Sequence, residues 1–256
     1  MKLFFQQYGS GEPLLILHGL LGSLDNWHTL SKTFATSFRV IAVDLRNHGR
    51  SPHSDSLSYE TMAEDVLELM DSQHMGSSHI LGHSMGGKVA MTLALANPTR
   101  VSKLIVVDIA PRSYRRLHDE LLAALMSVNL ALFQSRHQID EELARKIPDR
   151  AIRQFLMKNL ARDESGLFHW KANLATISKN DEELSTEIVA SAPFPNPTLF
   201  VKGKRSDYIV ESDAPLIHRL FPKARIELID AGHWVHAESP DRFADVVLNF
   251  LTSPAT

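Results

Sequence analysis

Short apolar runs that stop at glycine or polar residues recur along this chain, separated by longer stretches in which apolar side chains return every third or fourth position. A strand alternates its faces residue by residue, whereas a helix returns to one face after three or four. The alternation of the two patterns therefore predicts a mostly parallel sheet with helices on its faces. The runs at 14–17, 40–43, 79–81, 103–107, 198–201 and 225–229 are short and mostly aliphatic, as strands buried on both faces should be. No strand is assigned ahead of residue 14.

Three stretches between these runs read as sheet-covering helices. Residues 58–74 have Ser58 as N-cap, Glu60 in the first turn, and Met62, Ala63, Val66, Leu67 and Met70 at helical spacing. Residues 86–97 are apolar almost throughout and stop at Asn97-Pro98, which predicts a helix beneath the centre of the sheet. Residues 239–251 have Ser239 to cap them, Pro240 where the first turn tolerates proline, and an inner stripe of Phe243, Val246, Val247 and Phe250.

The rhythm breaks between residues 112 and 190, where helical patterns at 117–128 and 151–160 occur without a convincing strand. That span predicts an inserted helical cap on a core made of residues 1–111 and 191–256. The return to the sheet, from Ser191 to Pro197, holds three prolines and suits a rigid connector.

Composition narrows the function. The 44% hydrophobic and 22% charged residues describe an ordinary globular protein. With 27 basic and 30 acidic residues, the net charge of −3 gives no electrostatic basis for binding nucleic acid or an acidic membrane surface. The absence of cysteine excludes disulfides, thiolate catalysis and zinc-thiolate sites. The opening MKLFFQQYGSGEP is too briefly apolar for a secretory signal, and no run approaches membrane-spanning length, so a cytoplasmic location is expected. Nothing in the sequence sets the oligomeric state.

Candidate chemistry centres on Gly82-His83-Ser84-Met85-Gly86-Gly87, which follows one predicted strand and opens a predicted helix. A tight strand-turn-helix of this kind strains the serine and leaves its hydroxyl exposed to a reactant, while the helix amino terminus aims N–H groups at the same point. A serine hydroxyl needs a base, and the base needs a carboxylate to orient it. Among 13 histidines, His233 stands in a loop after the last predicted strand and before the final helix, from which it can reach Ser84. His236, three positions on, is expected to support that loop or to pack on Trp234, with the role of base as its alternative.

These motifs come in an ordered set: His18-Gly19-Leu20-Leu21-Gly22 after the first strand, Asp44 to Ser51 after the next, the Ser84 turn, and Gly232-His233. The set resembles the α/β-hydrolase superfamily over nearly the whole chain outside the cap. More narrowly, GHSMGGKVAM, VVDIAP and AGHWVHAE resemble the small bacterial YbfF-type esterases. The resemblance implies an α/β-hydrolase fold with a cap, and an oxyanion hole made by the backbone N–H groups of Leu20 and Met85. His18, Arg46 and His48 are expected to brace loops rather than to touch substrate.

The acid is open between two aspartates. Most of the superfamily carries it after the strand at 198–201, commonly three positions past a glycine; here Gly203 plus three is Ser206, and Asp207 is displaced by one. Asp108 ends the strand after the nucleophile strand, a position that some relatives use, and VVDIAP favours it. Trp27 and Trp234 are candidate substrate contacts by position. Leu121, Leu125, Leu132, Phe133, Phe155, Leu156, Phe168 and Trp170 are cap residues that could line a pocket or simply fill the cap core. The cap's twelve basic and twelve acidic residues balance, but Arg112, Arg115 and Arg116 cluster and could hold an anionic part of a substrate, such as the phosphates of an acyl-coenzyme A.

The expected function is a serine hydrolase of carboxylic esters or acyl thioesters working through an acyl-enzyme on a small-molecule substrate, with no metal or organic cofactor. The alternatives are other chemistry on the same fold, such as carbon–carbon bond hydrolysis or perhydrolysis, and a ligand-binding receptor with little turnover.

Overall fold

A computed structural model describes residues 1–115 and 119–254. All six predicted runs become strands of one seven-stranded sheet: β2 (Pro13–Leu17), β3 (Arg39–Asp44), β4 (Ser78–His83), β5 (Val101–Val107), β8 (Thr198–Gly203) and β9 (Ala224–Ile229). The seventh, β1 (Phe4–Tyr8), pairs antiparallel with β3 at one edge, and every other pairing is parallel. The spatial order β1-β3-β2-β4-β5-β8-β9 places β4 between β2 and β5. The ends of these three strands are therefore neighbours at the carboxyl edge, where ligands bind in open parallel sheets.

The central strands bury both faces. In β2, Leu15 and Leu17 join a core with Met62, Val66 and Val89, while Leu14 and Ile16 join a second core with Phe34, Phe243 and Val247. The first core is covered by α2 (Tyr59–Ser72) and α3 (Met85–Ala96), the second by α1 (His28–Phe34) and α11 (Pro240–Thr252). Ser58 caps α2 through the Thr61 amide, as expected, whereas Ser239 precedes α11 without a side-chain cap. One strand departs from expectation: β9 is an edge strand, with Arg225, Glu227 and Leu228 exposed, because none of the described residues pairs beyond it.

The segment 112–190 leaves the sheet after β5 and returns before β8. It holds α4 (Asp119–Met126), α5 (Arg136–Ala144), α6 (Arg150–Leu156), α7 (Leu174–Lys179) and α8 (Asp181–Leu184). It also holds a feature that helical periodicity hides, an antiparallel pair of β6 (Leu160–Arg162) and β7 (Phe168–Trp170) joined by a turn at Gly166 with φ 83°. The helix expected over 151–160 accordingly ends at Leu156. The first residues of the helix expected over 117–128 lie outside the described residues. Two further helices, α9 (Ala214–Leu220) and α10 (Val235–Glu238), flank β9. Among the described residues no helix is long and apolar enough to cross a membrane.

Candidate active site

Ser84 occupies the single position between β4 and α3, with φ 52° and ψ −118°. Positive φ is strained for a residue with a side chain and survives only where the surroundings enforce it. The Ser84 N–H donates to Val107 O across the sheet at 3.0 Å, and the flanking glycines leave no slack. A Cβ on Gly82 would land on the backbone of Gly86, and one on Gly86 would land on the carbonyls of Leu17 and His18. The turn thus needs both glycines, and it points the serine side chain out over the carboxyl edge at the start of α3.

The three predicted groups meet there. Ser84 Oγ lies 3.1 Å from His233 Nε2, and His233 Nδ1 lies 2.8 Å from Asp108 Oδ2. A carboxylate only accepts, so Nδ1 carries the ring proton and Nε2 is bare to accept from the serine hydroxyl. Such a chain can draw a proton off the hydroxyl and hold the resulting imidazolium against a negative partner.

Asp108 is fully buried and fixed on all sides. Its φ is 51°, its N–H donates to Val201 O at 2.8 Å, and Oδ1 accepts the Gly203 N–H at 2.9 Å. Oδ2 also accepts the hydroxyl of Ser206. Ser206, three positions past Gly203, thus donates to the aspartate that follows the neighbouring strand. Asp207 is exposed, and its carbonyl accepts from Arg112 Nη2 at 3.3 Å. Hydrogen bonds to charged groups are worth about 1.5–3 kcal/mol. Ser206→Ala is accordingly expected to lower kcat/KM about ten- to a hundredfold in steady-state assays. An unchanged rate would mean that Gly203 and His233 alone suffice to hold Asp108.

The His233 loop is held by groups that sequence reasoning missed. His83 Nε2–H donates to His233 O at 3.0 Å, and Glu238 accepts the Gly232 N–H at 2.8 Å while pairing with Arg205 at 3.0 Å. Tyr208 stacks on the His233 imidazole, centroids 3.8 Å apart and planes at 20°. His236 is not part of this hydrogen-bonded chain. It is buried, stacks on Trp27 rather than Trp234 (4.2 Å, 13°), and burial holds its pKa down at about 3. The same stack corrects Trp27 itself, which lies in the core beside Phe243 and lines neither active-site cavity. Trp234 does line a cavity, packed on Phe155 at 5.5 Å.

At the end of β2, the Leu21 N–H donates to His48 Nε2 at 3.2 Å and the Gly22 N–H to Gly19 O at 2.9 Å. Met85 is the first residue of α3, and a helix has no internal acceptor for its first amides. Leu20 and Met85 both line a cavity at Ser84. His18 and His48 brace this loop: His18 Nε2 accepts from Leu45 N–H at 3.0 Å, and burial holds the two imidazoles near 4 and near 3. Arg46 is structural too, bidentate on Asp65 at 2.6 and 2.9 Å.

Two cavities open from Ser84, and Leu20 and Tyr208 line both. The larger, about 170 Å³, reaches His233 and Trp234 and runs beneath Leu121, Ile152, Phe155 and Leu156. The smaller, about 30 Å³, lies among Met85, Lys88, Ile109, Tyr59, Tyr114 and Leu184. Of the apolar residues singled out in 112–190, Leu121, Phe155 and Leu156 line the larger of these two cavities, and the others line neither. Leu125 and Phe168 are buried, Phe133 and Trp170 pack on the core, and Leu132 is exposed. The arginine cluster is divided: Arg112 pairs with Asp213 at 3.0 Å, Arg115 borders the smaller cavity, and Arg116 lies outside the described residues.

Comparison with known proteins adds an independent line. Residues 12–240 match the family described as alpha/beta hydrolase fold. The chain is 39% identical to the sn-1-specific diacylglycerol lipase ABHD11 of Danio rerio, over 96% of this chain and 80% of that protein. It is 34% identical to esterase YbfF of Escherichia coli K12, over 96% of this chain and 95% of that one. A solved marine microorganism esterase superposes with a TM-score of 0.95 at 45% identity, over 97% and 99% of the two chains.

Proposed function

Because the chain belongs to the alpha/beta hydrolase fold family, we propose that it is a serine hydrolase of carboxylic esters, esterase or lipase in type, with Ser84, His233 and Asp108 as its triad. The observation that carries the reading is the hydrogen-bonded sequence Ser84 Oγ, His233 Nε2, His233 Nδ1, Asp108 Oδ2, built at 3.1 and 2.8 Å on one sheet edge. The esterase and lipase names of the similar proteins support it.

Ser84 Oγ attacks the ester carbonyl while its proton passes to His233 Nε2, and the developing oxyanion turns to the Leu20 and Met85 amides. Each such donor is worth about 3 kcal/mol in the transition state. The carbon–oxygen bond to the alcohol then breaks as His233 gives that oxygen the proton. Water next attacks the acyl-Ser84 carbonyl, loses a proton to His233, and the acid leaves as Ser84 regains its hydrogen. Acyl thioesters fit the same steps, with sulfur as the leaving atom. Segment 112–190 acts in this reading as a cap that roofs the larger cavity.

The experiment is turnover of an aryl acetate, an acyl thioester and a diacylglycerol, followed by peptide mass spectrometry of the trapped enzyme. Hydrolysis of at least one of the three with its acyl mass on Ser84 is expected. Tight binding of these compounds without turnover would instead make the protein a receptor on a hydrolase fold.

A further inference from the structure

The two cavities at Ser84 are unequal, and the direction of proton transfer says which arm of a substrate each one takes. In the tetrahedral intermediate one substituent is Ser84 Oγ and another is the oxyanion, directed at the Leu20 and Met85 amides. The leaving oxygen must lie within reach of His233 Nε2, because that nitrogen returns the proton to it. Only the larger cavity is lined by His233 and Trp234, so the alcohol arm extends there. The acyl carbon chain is left with the smaller cavity, whose lining includes Met85 and Lys88 of α3 and does not include His233. From this division, which rests on the serine-hydrolase reading, we propose that the enzyme is selective for esters of short acids with bulky apolar alcohols.

The volumes set the sizes. A water-sized group needs about 10–15 Å³ of such space, so roughly two fit in the small cavity, which corresponds to an acyl group of about two to four carbons. The large cavity, at about 170 Å³, exceeds the roughly 150 Å³ that admits a benzene ring in an apolar site. Its lining by Ile152, Phe155, Leu156 and Trp234 matches an aromatic or branched alcohol.

The small cavity is also braced against widening. Lys88 is buried one turn along α3 from Ser84, and its Nζ donates to Arg112 O at 2.9 Å and to Thr186 O. Those carbonyls lie at the two ends of segment 112–190, so one side chain ties both of its roots to the nucleophile helix. The Tyr114 N–H donates to Ser185 O at 2.8 Å and the Ile188 N–H to Pro111 O at 2.7 Å, which joins the roots to each other. Tyr59 and Tyr114 place their rings 5.4 and 5.0 Å from the amine. Burial brings the Lys88 amine down to about 7, so near neutrality this wall does not hold a full charge against an apolar acyl chain.

The test is a pair of substrate series on the whole protein: aryl esters from acetyl to octanoyl, and acetyl esters of alcohols from methyl to 2-naphthyl. The kcat/KM is expected to fall at least about tenfold from butyryl to octanoyl, and to rise about three- to fourfold per methylene equivalent buried on the alcohol side. Leu184→Ala, which opens the small cavity, should move the acyl optimum to longer chains without changing the alcohol profile. Phe155→Ala should flatten the alcohol profile and leave the acyl optimum in place. An octanoyl ester cleaved better than the acetyl ester by the unaltered enzyme, or an exchange of the two variants' effects, overturns the assignment while leaving the hydrolase reading intact. Failure to cleave any member of either series removes both.

Discussion

Ser84→Ala is expected to lower kcat on an aryl acetate about a millionfold and Asp108→Asn about ten-thousandfold, with Asp207→Asn close to the unaltered enzyme. The Asp108 outcome follows from how the carboxylate is held. The Gly203 N–H is a fixed backbone donor at 2.9 Å from Oδ1, so an asparagine must keep its oxygen there and turn its NH₂ toward Ser206 and His233. An amide nitrogen facing Nδ1 can only donate, so the imidazole must carry its proton on Nε2, the atom that has to accept from Ser84. The geometry would survive and the tautomer would be wrong. Asp207 has no such lever, since it is exposed and meets Arg112 through its backbone carbonyl. Steady-state rates for the three variants at equal folded fraction decide the matter. Near-normal turnover in Asp108→Asn together with collapse in Asp207→Asn would reverse the assignment.

Much of this site could be read from the chain because its parts are backbone features with local sequence requirements. A strained turn between strand and helix requires Gly82 and Gly86, and a histidine after the last strand has one edge to reach over. The acid was ambiguous because sequence order does not say which strand ends are adjacent. The order β4-β5-β8 brings Asp108 and Ser206 from two strands onto one oxygen pair, which turns rival positions into partners. Trp27 misled for a related reason. Its position after the Leu20 loop suits a pocket, but the turn at Leu24–Trp27 folds its ring down onto His236 and Phe243.

The fold shows the same division between local and non-local signals. The buried parallel strands announce themselves as aliphatic runs, and β9 is legible as a run although its edge position is not, whereas β1, an edge strand with mixed faces, is not legible at all. The helix α1, HTLSKTF, has only Leu30, Ser31 and Phe34 buried, too few turns for its period to show. In segment 112–190, β6 and β7 have three residues each, below the length at which alternation can be counted.

Stability is expected to fall steeply as pH drops from about 6.5 toward 4, because the site is built on imidazoles that are buried neutral. Burial holds His18 near 4 and His48 and His236 near 3, and pushes His83 well down. Their native pKa values lie below the unfolded value, so below about pH 6.5 the unfolded chain takes up protons that the folded one refuses. Each site then loses about 1.4 kcal/mol per pH unit until its native pKa is reached, and contributes nothing above about pH 7.5. At pH 5 that is roughly 2 kcal/mol for each of His18, His48 and His236. His18 and His48 rings touch at 5.1 Å and His83 and His236 at 4.6 Å, so the losses do not add in full. Even so, a total on the order of 5 kcal/mol is comparable to the whole stability of many domains. Asp44, whose carboxyl burial pushes up, has the opposite sign but acts near the carboxylate range, at the acid end of this window. Urea unfolding at pH 7.5, 6 and 5 measures the slope, and His236→Phe isolates one site. Among the described residues His236 Nδ1 has no hydrogen-bond partner, and phenylalanine keeps the stack on Trp27. The variant should lose about one proton's share of the slope between pH 6.5 and 5. An unchanged slope would show that His236 takes up its proton in the folded state and that its burial does not govern the acid limb.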